Sequence, residues 1–187
     1  LTLRIKEGED RLSDEYKRLG LAHEEKVLDK VRAIGLRVHQ IDLSETYKSK
    51  SQQTAEALMN HDIDIILGAN IDEETETALK PFLNDLHHFD SDRVSRPDLL
   101  VRIGANPHPM WAPVDVKSHS ASIENKTHTL ERTDLNLTPA EEPLIVGRFK
   151  KEDALQLAHY AIHLQNIGLA YSDSRAGIIG KDGEPLG

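Results

Sequence analysis

Three short apolar runs in the middle of the chain restrict its fold more than anything else in it. They are "DIDIILGAN" (62–70), "PDLLVRIG" (97–104) and "WAPVDVKSH" (111–119). Each is bounded by turn residues and is too short for an independent helix, so each reads as a buried strand. A turn around "GANPHP" joins the second run to the third and makes them neighbours. "LRVHQIDL" (36–43) alternates like a further strand, and "RAGIIG" (175–180) ends the pattern with a short one.

Helical stretches surround these strands. "SDEYKRLGLAHEEKVLDKVRAIG" (13–35) offers Ser13 as N-cap, acids Asp14 and Glu15 in the first turn, and Gly35 as a stop. Leu19, His23, Val27 and Val31 recur at four-residue spacing and share one face. "SQQTAEALMNH" (51–61) is a short helix, and "DEETETALKPFLNDLHHFDSD" (72–92) a partly helical excursion broken near Pro81. In "KKEDALQLAHYAIHLQNIGLA" (150–170), Leu155, Ala158, Ile162 and Gln165 mark one stripe, with Leu157, Ala161 and Leu164 beside it. Gln156, Tyr160 and His163 follow another face. Residues 118–142 are polar with little periodicity and read as a long loop within the domain. The expected fold class is α/β, a central mixed β-sheet flanked by helices.

With 187 residues and 38% hydrophobic content, the chain suits a single domain with a real core. It starts at Leu1 and stops at "GKDGEPLG", as expected of a domain excised from a longer protein. The absence of cysteine excludes disulfides, thiolate zinc sites and iron–sulfur clusters. No apolar run approaches the roughly 20 residues of a membrane span, and "LTLRIKEGEDRL" is too charged for a secretory signal. A cytoplasmic protein with no membrane partner is therefore expected. The net charge of −9 argues against nonspecific nucleic-acid binding, but a carboxylate-based metal site is compatible with it.

Asp98 and Asp115 stand at the ends of neighbouring apolar strands. Two carboxylates at short range do not both stay ionised without a cation between them. An oxygen cluster of this kind suits Mg2+ or Mn2+, which can polarise a phosphoryl oxygen and acidify a water. Lys117 follows Asp115 by two residues and so shares its strand face; an ammonium there can orient a nucleophile or neutralise charge developing on phosphorus. The Val116 carbonyl is also available as a ligand. Taken alone, "DVK" reads as the solvated end of a strand, His23 as a core histidine, and the Gln156–Tyr160 pair as a polar helix face.

Pro97-Asp98, sixteen intervening residues and Asp115-Val116-Lys117 resemble the PD-(D/E)XK nuclease motif. Upstream, "GLAHEEKVL" places His23 close behind Gly20, one residue tighter than the "GxxxH" pattern of RecB-like nucleases; downstream, "QLAHY" matches their "QxxxY". The order His, Asp, Asp-x-Lys, Gln-x-x-x-Tyr is that of the RecB-like family, and "TAEALMNHDIDIILGA" resembles its bacterial members, often fused to a helicase. The chain departs from them in "SRPD", where a glycine is usual, and in the long segment after Lys117. The resemblance implies a restriction-endonuclease-like core and a metal-dependent DNA nuclease of repair or recombination. It implies His23, Asp98, Asp115 and the Val116 carbonyl as ligands of Mg2+ or Mn2+. Asp98, Asp115 and Lys117 would be catalytic, and Gln156 and Tyr160 would position substrate or lysine. The implied partners are DNA, single-stranded or as end-bearing duplex, and a helicase domain in the same protein.

Two other functions fit the same residues: a nucleic-acid-binding or docking module with little catalysis, and a hydrolase of small phosphoesters. His87, His88, His108, His128 and His159 lack zinc-ligand spacing and read as surface or loop residues, whereas His119 lies close enough to Lys117 to meet substrate. The acidic run Asp72–Glu76 reads as a solvated face. Arg148, Lys150 and Lys151 are surface charges or backbone-phosphate contacts with equal weight.

Overall fold

Buried from both sides, the apolar runs pair into one sheet. The structure is a computed structural model that describes residues 2–83, 94–104, 108–121, 129–133, 139–170 and 175–181. In chain order the elements are α1 (Thr2–Ala33), β1 (Val38–Gln40), α2 (Tyr47–Leu58), β2 (Ile65–Leu67), α3 (Glu73–Leu79), β3 (Leu99–Gly104), β4 (Met110–Val116), β5 (Thr129–Thr133), β6 (Pro139–Val146), α4 (Lys151–Asn166) and β7 (Gly177–Ile179). The main sheet has the order β1-β2-β3-β4-β7. Its outer pairs, β1 with β2 and β4 with β7, are parallel, and the central strand β3 runs antiparallel to both β2 and β4. The chain is thus α/β with a five-stranded mixed sheet flanked by helices.

The two faces of the sheet bury different helices. Ile65, Leu67, Leu99, Val101, Val114 and Val116 pack with Val27 and Val31 of α1. Ile66, Leu100 and Trp111 point the other way, into a core shared with Leu58 of α2, Leu79 of α3 and Leu164 of α4. The alternation is the period of two expected of a strand. Trp111, fully buried, also donates its indole N–H to the Leu58 carbonyl at 2.9 Å, so no polar atom of the ring is stranded.

Several expectations need correction. Helix α1 begins at Thr2, so Ser13 lies inside it and not at its start; the Leu, Arg, Lys and Glu residues of 2–12 are strong helix formers that carry the helix past it. Leu19 is 53% exposed, and only Val27 and Val31 of the predicted α1 face are buried. On α4 the core takes Leu157, Ala161 and Leu164, while Leu155 and Ile162 face outward.

The polar segment 118–142 is not one loop. It contains β5 and the start of β6, which form a separate antiparallel pair with Leu130 opposite Ile145. Backbone hydrogen bonding needs no hydrophobic alternation, so composition gave no sign of it.

The acidic run is not a solvated face either. Asp72 and Glu76 are buried, and only Glu73 and Glu74 stay in water. Asp72 caps α3 by accepting the Thr75 N–H at 2.9 Å, and it also accepts from the Ser51 hydroxyl at 2.7 Å. The Pro81 break holds, since α3 ends at Leu79. Among the described residues no helix is long and apolar enough to cross a membrane.

Candidate active site

Strand β4 delivers the site by alternation. Val114 and Val116 face α1, which turns Asp115, and Lys117 just beyond the strand, toward α4. Asp115 is 1% exposed. Lys117 Nζ stands 3.1 Å from Asp115 Oδ2, yet neither carboxylate oxygen of Asp115 accepts a hydrogen bond of good geometry. A buried charge of this kind is costly unless something compensates it.

Asp98 reaches the same end of the sheet from the start of β3. Its carbonyl accepts the Gly68 N–H at 3.1 Å. Gly68 has φ 68°, a left-handed turn that suits glycine and lets the chain leave β2 sharply. The Asp98 side chain then turns to β4, where Oδ2 accepts the Val116 N–H at 2.7 Å. The backbone between Asp115 and Lys117 is thereby tied to the first carboxylate.

Helix α4 closes the other side. Lys117 Nζ donates to Gln156 Oε1 at 2.9 Å, and Gln156 Nε2 donates to the Tyr160 hydroxyl at 2.6 Å. Gln156 and Tyr160 are one helical turn apart, so a single face presents both. The structure therefore brings together Asp98, Asp115, Lys117, Gln156 and Tyr160, through Val116 in the case of Asp98.

Helix α1 supplies the remaining expected ligand less directly. Gly20 lies beside the end of β4, where an added Cβ would sit 3.8 Å from Ser118 Oγ. One turn on, His23 Nε2 is shielded from solvent and has no hydrogen-bond partner. Its neighbour Glu24 is half-buried and feels the charges of Asp115 and Lys117.

These placements set the electrostatics. Burial pushes the Asp98 carboxyl up to about 6; Asp115 and Glu24 add to the rise, and the Val116 N–H and Lys117 oppose it. Burial likewise raises Glu24 and Tyr160. Lys117 is raised as well: burial works against its charge, and the nearby carboxylates, Asp115 foremost, outweigh that.

The donor chemistry fits a hard divalent cation. The shielded Asp115 oxygens and the unpartnered His23 imidazole nitrogen are oxygen and nitrogen donors without a hydrogen bond, and Asp98 adds a second carboxylate close by. Among the described residues, however, no three His, Cys, Asp or Glu side chains converge into a ready-made cation group.

Sequence reasoning missed Glu24 and Asp153. Asp153 is buried at the start of α4, one turn before Gln156, with Oδ1 3.9 Å from Lys117 Nζ and Oδ2 3.4 Å from His119 Nε2. Its place on the Gln156–Tyr160 face at i, i+3, i+7 was the available signal. His119, expected near substrate, stands 3.4 Å from Asp153 Oδ2 through its Nε2, and its Nδ1 faces the Ser120 carbonyl at 2.8 Å. His163, grouped with Gln156 and Tyr160, is a buried core residue beside Glu76. Lys150 sits at the N-cap of α4, the end that bears Asp153. His87, His88 and His128 lie outside the described residues. Compared with known proteins, the chain matches no family model, no curated protein and no solved structure.

Proposed function

We propose that this chain is a divalent-metal-dependent DNA nuclease domain of the RecB-like branch, built on a restriction-endonuclease-like core. One observation carries the reading. Asp115 is a buried carboxylate without a hydrogen bond, and the ammonium beside it is held by a glutamine from the facing helix. A fold under no functional demand has little reason to keep such a charge. The resemblance in motif order supports the same reading, and so does the convergence of its members on one end of the sheet.

Asp98, Asp115, the Val116 carbonyl and His23 would hold Mg2+ or Mn2+. The cation supplies Lewis-acid charge to the phosphoryl oxygens when bound. The chain's own residues do the rest. Asp115 and Asp98 fix the position of the reacting phosphate through what they bind. Lys117 places positive charge where the phosphorus gains negative charge, and orients the attacking water from its Asp115 side. Gln156 holds Lys117 in that direction, and Tyr160 holds Gln156.

The test is cleavage of end-labelled single-stranded and duplex DNA by the purified protein with Mg2+ or Mn2+. Wild type should cut, and Asp115→Ala and Lys117→Ala should each lose about a hundredfold or more. No cutting in either metal, or equal cutting by wild type and both variants, defeats the proposal. DNA binding without metal-dependent turnover favours the docking module. Preference for mononucleotide esters over polymer favours the small-phosphoester hydrolase.

A further inference from the structure

Lys117 has more than one anchor. Its ammonium lies among Asp115 Oδ2 at 3.1 Å, Gln156 Oε1 at 2.9 Å and Asp153 Oδ1 at 3.9 Å. Asp115 shares its own strand face, whereas Gln156 and Asp153 come from α4, one turn apart. Asp153 is buried, and its Oδ2 accepts no hydrogen bond although His119 Nε2 stands 3.4 Å away. Helix capping does not explain this carboxylate, because α4 has no side-chain cap bond and Asp153 lies three residues past the Lys150 cap position. What the carboxylate does face is the Lys117 ammonium on one side and the His119 ring on the other.

Nδ1 of His119, set against the Ser120 carbonyl, can only donate to it. Nε2 stands 3.4 Å from Asp153 Oδ2. His119 is further fixed by its carbonyl, which accepts the Lys181 N–H at 3.0 Å. Asp153 thus stands between His119, at the end of β4, and Lys117.

We propose that Asp153 is a positioning residue of the site, which shares its carboxylate between Lys117 and His119 and so fixes the direction of the lysine ammonium. The proposal rests on the nuclease reading for its catalytic consequence, but not for the geometry itself. Gln156 limits the distance of Lys117 from α4, and Asp153 limits its swing along the helix. A neutral amide in place of Asp153 keeps shape and loses the attraction for the Lys117 ammonium.

Two measurements on the intact protein test it. The first uses neither DNA nor metal: acylation of Lys117 by an amine-selective anhydride, read by peptide mass spectrometry. Asp153→Asn should react several-fold faster than wild type, and Asp153→Glu should return most of the protection. The second is steady-state DNA cleavage in Mn2+. Asp153→Asn should lower kcat about tenfold with KM within about twofold, while Mn2+ affinity stays at the wild-type value. His119→Gln should lower kcat less, and should add nothing in the Asp153→Asn background, as expected for two residues acting through one contact.

Equal Lys117 protection in wild type and Asp153→Asn overturns the proposal, as does a rise in KM with kcat unchanged. If wild type fails to cut but the protection pattern holds, the nuclease reading falls and the positioning role of Asp153 stands.

Discussion

Asp98 Oδ2 accepts the backbone N–H of Val116 at 2.7 Å, so the first acidic residue of the site is fastened to the strand that bears the second. That carboxyl is pushed up to about 6, chiefly by burial. Its ordinary value is 3.8 and its folded value is higher, so its contribution to metal-free stability is full below pH 3.8 and is lost as pH rises through 6. On the proposed nuclease reading, a cation would compete with the proton for this carboxyl. Mn2+ should therefore raise Tm clearly at pH 7.5 and much less at pH 5, where the proton already occupies the group. Thermal melts with and without Mn2+ at the two pH values check this, and Asp98→Asn should remove the difference.

The Asp115–Lys117 pair should behave non-additively. Lys117→Met leaves a buried carboxylate without its partner and should destabilise the metal-free protein by about 3 kcal/mol. Adding Asp115→Asn to that variant removes the stranded charge and should recover a large part of the loss. Urea unfolding of wild type, both single variants and the double variant gives the coupling directly. Simple addition of the two single effects would contradict the geometry.

A second pH effect should come from the core. His163 Nε2 donates to Glu76 Oε1 at 3.0 Å, which leaves Nδ1 to accept the Ser95 hydroxyl at 2.9 Å. Burial holds the imidazole below its ordinary 6.5 against the pull of Glu76, with His159 adding to the lowering and Asp72 opposing it. A depressed folded value means that stability is present above 6.5 and is lost as pH falls below it, because the unfolded chain takes up the proton first. Melts from pH 7.5 to 5 should show this loss, and His163→Gln should flatten it while lowering stability throughout by about 1–3 kcal/mol.

At the far end of the sheet, Asp64 gathers two arginines. It accepts from the Arg37 backbone N–H at 3.0 Å, from Arg37 Nε and Nη2 at 2.9 Å each, and from Arg102. These bonds, those from the Arg37 side chain first, hold its carboxyl well below the usual carboxylate range. Asp64→Ala should cost about 1–3 kcal/mol in chemical unfolding, with DNA cleavage at saturating substrate unchanged, since the residue lies away from Lys117. Wild type should lose the benefit only in strong acid, as pH falls below 3.8 toward the depressed folded value.

Much of the architecture was legible because the strands carry their own burial. Leu99–Val101, with Val114 and Val116 on either side of Asp115, are apolar enough to announce a sheet. The period of two placed Lys117 with Asp115, and the helical turn placed Gln156 with Tyr160. What escaped was whatever depends on partners distant in sequence. Asp72 and Glu76 look like surface acids until Ser51, from α2, and His163, from α4, close over them. Asp153 looks like an ordinary first-turn acid until β4 brings Lys117 to it. The β5–β6 pair holds by backbone bonds that leave little trace in polar side chains. His23 stands between the two cases: its helical face was legible, and its unpartnered nitrogen was not.

Strand β7 has a bearing on the timing of synthesis. It pairs in parallel with β4, and the Ile179 carbonyl accepts the Lys117 N–H at 2.9 Å. A nascent chain leaves the ribosome N-terminus first, so β4 emerges well ahead of β7 and, until then, has an open edge beside Asp115 and Lys117. Helix α4, with Gln156 and Asp153, also emerges after β4. This order of emergence delays the assembled site until nearly the whole described chain has been made.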